Sequence, residues 1–254
     1  MLFRSKHLYH FSDGMLRQVT RGEWEMRKLH VVDEETQSIY FSATVDSHLA
    51  LNLYRINIDG SQLTRLTQGP GDHRVTVSPT GKQFIDSCSS HRHPTRVALM
   101  SSDGTRLRTI DTNPVPAIDD FEFAPLEMIQ IKARDGFLLE GSLIKPKDFD
   151  ENKKYPVWLL TYGGPHAPTI SDSWRGGRTY EQMLAEMGVI AFRVDPRSAS
   201  GKGACSTWTA YRQLGVTELK DLEDAVDWLC QKPYVDADRI GMSEIGRASG
   251  RERV

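Results

Sequence analysis

Apolar and polar positions alternate through the first half of the chain in a pattern that returns. "LYHFSDGMLRQVTRG" (8–22) recurs as "LYRINIDGSQLTRLTQG" (53–69) and, more weakly, as "VALMSSDGTRLRTID" (97–111). The Asp-Gly pairs fall at 13–14, 59–60 and 103–104, in steps of 46 and 44 residues. Each pair separates two short runs of β-forming residues, which predicts a hairpin turn at each. Further strand-like runs lie between the copies: "SIYFSATV" (38–45), then "RVTVSPTGKQFIDSC" (74–88) with its Pro-Thr-Gly turn. Four short strands in a period of about 45 residues is the spacing of a β-propeller blade. Three partial copies fall short of the roughly four blades a ring needs, so this half predicts the last blades of a larger propeller.

The rhythm breaks at "DTNPVPAIDDFEFAPLEMIQI" (111–131), where three prolines and an acidic cluster interrupt it. The expected boundary divides blades at 6–118 from a second domain at 119–243. "EMIQIKARDGFLLEGSLIKP" (127–146) predicts an antiparallel hairpin turning at Asp135-Gly136. "YPVWLLTYGG" (155–164) and "VIAFRVD" (189–195) are nearly continuous apolar runs, as expected of strands covered on both faces. "TYEQMLAEMG" (179–188) has helical spacing at Met183, Leu184 and Met187. "TELKDLEDAVDWLCQK" (217–232) predicts an amphipathic helix with Leu219, Leu222, Ala225, Val226 and Leu229 on one face. "RIGMS" (239–243) follows as a strand. Strand, helix, strand, helix, strand implies right-handed crossovers and a parallel-rich, doubly wound sheet.

Composition changes this picture little. Of 254 residues 39% are hydrophobic and 26% charged, with a formal net charge of −2, so nothing draws the chain to nucleic acid or an anionic membrane. No apolar run approaches the roughly 20 residues needed to span a bilayer. Cys88, Cys205 and Cys230 are scattered outside any metal or redox spacing and read as free or buried thiols. No metal or cofactor motif is present. "GKGACS" (201–206) lacks the spacing of a phosphate loop and reads as surface.

Candidate chemistry gathers where strands of the second half end. "YGGPHAP" (162–168) makes a sharp turn after a buried strand, where open α/β sheets place their sites. Tyr162 there is either a tyrosine packed at a strand end or a donor to a developing oxyanion. His166 reads as a loop histidine. Asp195 and Arg197 are expected to pair and hold their loop. The carboxylates of "ELKDLEDAVD" are expected mostly on a solvated helix face.

In order, "YGGP", "VDPRSASGKG", "YRQLGVTELKDLEDAVDWL" and "YVDADRIGMS" resemble the prolyl oligopeptidase family of serine peptidases, and within it the dipeptidyl peptidase IV-like branch. "TRGEWEM" (20–26), "NLYRI" (52–56) and "VTVSPTGKQF" (75–84) resemble the closing propeller blades of that branch. The likeness runs over about residues 6–243. It implies propeller blades followed by the first part of an α/β-hydrolase domain, and hydrolysis of short peptides through an acyl-enzyme. It implies that Tyr162 corresponds to the tyrosine whose hydroxyl helps bind the tetrahedral oxyanion. It implies no cofactor, peptides as partners, and leaves open a homodimeric parent. A secreted, periplasmic or cytoplasmic parent fits equally.

In the family the strand matching "RIGMS" continues into a G-x-S-x-G-G nucleophile elbow, which would place the serine where Gly246 stands. Ser243 comes three residues early and Ser249 lies outside the motif. The acid and histidine follow later in the family, so the 254 residues alone are expected to be inactive. "EIGRASGRERV" (244–254) resembles the translation of a short-read sequencing adapter, with Gly250 in place of a cysteine, and "LFRS" (2–5) resembles its opposite strand. Residues 1–5 and 244–254 are therefore expected to be foreign to the fold. A non-enzymatic propeller-containing binding protein and another α/β-hydrolase, such as an esterase, are the competing readings.

Overall fold

A computed structural model describes residues 5–244. The adapter-like segments fall almost wholly outside that range, as do Gly246 and Ser249. The described residues form two compact units. One runs through Asp119 and takes in Ser171–Gly176 and Lys202–Cys205; the other holds the remainder.

The first unit is built from antiparallel hairpins. Strands β1 (Tyr9–Ser12) and β2 (Met15–Gln18) form a two-stranded ribbon. Strands β3 (Met26–Asp33), β4 (Ser38–Ala43), β5 (Asn52–Asn57) and β6 (Thr64–Arg65) make one four-stranded meander. A second comprises β7 (Asp72–Val77), β8 (Gln83–Ser90), β9 (His93–Ser101) and β10 (Arg106–Asp111).

The Asp-Gly pairs turn these hairpins by two different routes. Ser12 pairs directly with Met15, so Asp13 and Gly14 form a two-residue turn with φ of 50° and 75°, the primed geometry that suits strand twist. At Asp59-Gly60, Asp103-Gly104 and Asp135-Gly136 the turn is one residue longer. The glycine N–H donates to the carbonyl three residues back at 2.8–3.0 Å, and glycine φ is 87–88°. In each of these the aspartate Oδ1 accepts the N–H two residues on, at 2.8–3.2 Å. The same two-residue signal thus writes the same bulged turn three times.

Strand β4 is buried along its whole length. Trp24, Phe41 and Tyr54 stack in series at ring separations of 6.1 and 5.9 Å. Tyr40, Leu53 and Leu66 of the first meander meet Val75, Phe84 and Met100 of the second, closing the core between the two sheets. Helix α1 (Pro116–Asp119) is a single turn after β10.

The second unit is a five-stranded mixed sheet ordered β11-β12-β14-β13-β15, from β11 (Leu126–Lys132), β12 (Leu138–Ile144), β13 (Tyr155–Thr161), β14 (Ile190–Asp195) and β15 (Val235–Glu244). Strand β12 runs antiparallel to β11 and β14, whereas β13 is parallel to both β14 and β15. The parallel character expected of the sheet therefore resides in its last three strands. Helices α2 (Thr179–Glu186), α3 (Ala204–Trp208) and α4 (Val216–Cys230) complete the elements. Ala225 and Leu229 of α4 pack on Leu139, Val157, Leu159 and Phe192 on one face of the sheet. Leu184 and Ala185 of α2 pack with Ala191 and Ile144 on the other.

Two helix faces differ from the sequence expectation. On α2 the buried apolar residues are Leu184 and Ala185, leaving Met183, and Met187 just past the helix end, exposed. On α4 Leu219 is 57% exposed, because the helix opens at Val216 and only its later turns reach the sheet. No described helix is long and apolar enough to cross a membrane.

Candidate active site

The carboxyl ends of the parallel strands β13, β14 and β15 lie side by side at one edge of the second unit. Thr161 closes β13 with its hydroxyl donating to Val194 O of β14 at 3.2 Å. The chain then turns through Tyr162-Gly163-Gly164-Pro165. Gly163 has φ of +66°, a conformation open to glycine at little cost. Gly164 is needed for a different reason: a Cβ there would lie 2.3 Å from Tyr162 Cε1 and 3.1 Å from Cζ. The Tyr162 ring thus lies directly over its own turn, half-buried. Among the described residues its hydroxyl has no hydrogen-bond partner.

Past the turn the loop is fastened to the residues that follow β14. The His166 N–H donates to Ser198 O at 2.8 Å, and His166 Nδ1 lies 3.4 Å from Thr207 Oγ1. His166 therefore serves the loop, as its position suggested. Asp195, at the end of β14, is 1% exposed and accepts from the Thr169 N–H (2.7 Å), the Thr169 hydroxyl (2.6 Å) and the Ile170 N–H (2.8 Å). Burial pushes the Asp195 carboxyl above its ordinary value, against the hydrogen bonds from Ile170 and Thr169 and the charge of Arg193.

The expected Asp195–Arg197 pair is not formed. Asp195 turns to the 162–170 loop, while Arg197 turns the other way to Asp221 of α4 and Asp135 of the β11–β12 turn. Asp221 accepts the Arg197 N–H at 2.8 Å, Nε at 3.0 Å and Nη2 at 2.7 Å. The guanidinium also lies 4.9 Å from the Phe137 ring centroid. The hydrogen bonds from Arg197 hold Asp135 down at about 2, and those to Asp221 and Asp135 push Arg197 further above its ordinary value.

The expectation of a solvated carboxylate face on α4 is corrected at two positions: Asp221 is 0% and Glu218 6% exposed. Glu218 takes the Ser198 hydroxyl at 2.6 Å and the Gly215 N–H at 2.9 Å, so it caps α4 and anchors the post-β14 loop together. In "GKGACS" a five-residue helix, α3, does open at Ala204, but well past the end of β14.

Ser243 sits within β15, paired with Leu160 of β13. The Trp158 indole N–H donates to its Oγ at 2.9 Å. A Cβ at Gly241 would come 2.3 Å from Trp158 Cζ3, so glycine there makes room for the indole. Ser243 is a strand residue with an occupied hydroxyl, not a residue of an exposed turn. Among the described residues no cluster of three or more His, Cys, Asp or Glu is placed to hold a metal.

Comparison with known proteins sets this geometry in a family. Residues 5–95 match the dipeptidyl peptidase IV N-terminal region, and residues 177–243 match the prolyl oligopeptidase family. Dipeptidyl peptidase 8 of Homo sapiens is 27% identical over 243 residues, covering 88% of this chain and 26% of that protein. Dipeptidyl peptidase 4 of Arthroderma otae is 26% identical over 243 residues, covering 93% of this chain and 31% of that one. The crystal structure of Porphyromonas gingivalis dipeptidyl peptidase 4 matches with a TM-score of 0.89 at 30% identity, over 95% of this chain and 34% of that one. A putative dipeptidyl aminopeptidase IV from Bacteroides ovatus gives 0.82 at 29%, over 91% of this chain and 33% of that one. The chain spans about a quarter to a third of the length of these relatives. Two ordered family matches, and solved structures that follow almost the whole chain, place it in the prolyl oligopeptidase family, on the dipeptidyl peptidase IV-like branch.

Proposed function

We propose that this chain is part of a serine peptidase that hydrolyses short peptides through an acyl-enzyme, with Tyr162 donating its hydroxyl to the tetrahedral oxyanion. The observation that carries the reading is the Tyr162 ring laid over Gly164 at the carboxyl end of β13, with β14 and β15 ending on either side of it. A phenol fixed in place before substrate arrives needs little reorganisation when negative charge develops on the carbonyl oxygen. A nucleophilic serine attacks the scissile carbonyl while a histidine moves the proton from the serine to the leaving amine. In this reading that serine and histidine, with their acid, come from parts of the protein beyond these residues, and Ser243 is no substitute. The 254 residues alone then turn over no peptide. The two four-stranded meanders are proposed as blades of a propeller.

The test is Tyr162→Phe in the full-length protein, assayed on a dipeptidyl chromogenic substrate. Loss of one oxyanion donor typically lowers kcat about 10²–10³-fold. KM should change little. A raised KM with kcat unchanged would assign Tyr162 to ground-state binding and overturn the role.

A further inference from the structure

We propose that Cys88 is a thiol-modification site for small anionic disulfides, activated by His73 and Asp86 and flanked by Arg96. The four residues are brought together by strand register alone. Cys88 on β8 is the direct cross-strand partner of His73 on β7 and of Arg96 on β9. Asp86 lies two residues along β8 and therefore on the same face.

His73 is 1% exposed, and its Nδ1 lies 2.9 Å from Asp86 Oδ2. Its Nε2 lies 3.6 Å from Cys88 Sγ, within hydrogen-bond reach for sulfur. This is the order acid, imidazole, sulfur that activates a thiol nucleophile. Burial works against charge on His73, but the Asp86 carboxylate and the Cys88 sulfur outweigh it and push the imidazole up to about 9. An imidazolium N–H therefore faces the sulfur at neutral pH.

Cys88 lines a cavity of about 600 Å³ together with Arg96, Met100, Asp103 and Arg106 among others. Asp86 is already engaged by His73, so two guanidiniums face one remaining carboxylate, Asp103. That balance favours an anionic reactant. Glutathione disulfide is the natural chemical class.

In the step, the Cys88 thiolate attacks one sulfur of the incoming disulfide. A Cys88–S bond forms, the original S–S bond breaks, and the second sulfur leaves as a thiolate with the bonding pair, taking a proton from His73 or water. A thiol reductant reverses the reaction by the same exchange.

Cys205 and Cys230 are exposed and serve as internal controls, while Cys88 is only half-exposed. The native protein is treated with dithiobis(nitrobenzoate), a dianionic disulfide, and modification at each cysteine is timed by peptide mass spectrometry. Cys88 should react about tenfold faster than either control, and that advantage should vanish in urea. His73→Gln and Arg96→Gln should each slow Cys88 without changing the controls. Dicationic cystamine should lose most of the Cys88 advantage. A Cys88 that is slower than the controls in the native protein and speeds up on unfolding is an inert, shielded thiol, and the proposal fails. Faster reaction with cystamine would overturn the anionic preference. If His73→Gln does not fold, the native-against-urea comparison in the wild-type chain decides the matter alone.

Discussion

Arg197 binds two aspartates, and replacing each in turn should give very different costs. The Asp221 side chain is 0% exposed and that of Arg197 13%, whereas Asp135 is 51% exposed. Asp221→Ala removes the acceptor for the Arg197 N–H, Nε and Nη2 together. A largely buried guanidinium is then left with one solvent-facing partner. Breaking a buried pair from one side typically costs about 3–5 kcal/mol, against about 0–1 kcal/mol for an exposed pair such as Arg197 with Asp135. At about 1.4 kcal/mol per decade, Asp221→Ala should speed opening of the second unit by roughly two to three and a half orders of magnitude. Hydrogen exchange at the buried β13 and β14 amides reads that opening directly and separately from the first unit. Replacing both partners, Arg197→Met with Asp221→Leu, should cost less than Asp221→Ala alone, since no charge is left stranded. Equal exchange rates in Asp221→Ala and Asp135→Ala would refute the assignment of Asp221 as the dominant partner.

If the proposed function holds, Gly164→Ala should lower kcat of the full-length protein on a dipeptidyl substrate by up to about 10²-fold, because its Cβ would push the Tyr162 ring aside. Gly163→Ala should instead cost about 1–2 kcal/mol of stability through its positive φ, with nothing within 4 Å to displace the ring; thermal melts and kinetics on the two variants separate the effects. Burial, with the nearby Lys28 charge, lowers His30 to about 4. The folded state then favours the neutral imidazole, so this stability is complete above about 6.5 and lost as pH falls towards about 4. His30→Gln should flatten the melting temperature of the first unit across that window, and an unchanged slope would exclude His30 as its source.

What could be read from the sequence was whatever is encoded by neighbours along the chain. Asp-Gly pairs specify turns because φ and side-chain capping are decided within a few residues. The runs at 155–161 and 190–195 announced buried strands because both faces of a covered strand must be apolar. The turn that carries Tyr162 was legible because "YGGP" is local. Side-chain pairing was not local. Asp195 and Arg197 are two residues apart, but the strand ends at Asp195 and the chain turns at once, with the Ala199 N–H donating to Pro196 O, so they face different partners, 26 residues back and 24 ahead. Buried Asp221 resembled its solvated neighbours on α4 because only the tertiary fold brings Arg197 to it. The row His73, Cys88, Arg96 depends on the register of three strands, and a slip of one residue would have scattered it to opposite faces.

The first half of the loop between β13 and α2 is tied at several points along its length. It leaves the sheet at Thr161, is caught at His166 by the Ser198 carbonyl, and is caught again at Thr169 and Ile170 by Asp195. A loop pinned at several points has a fixed contour length. An insertion or deletion between Tyr162 and Thr169 would have to release one of those ties, whereas a change of side chain at exposed Pro165 would release none. Engineering or divergence at this rim should therefore proceed by substitution at constant length.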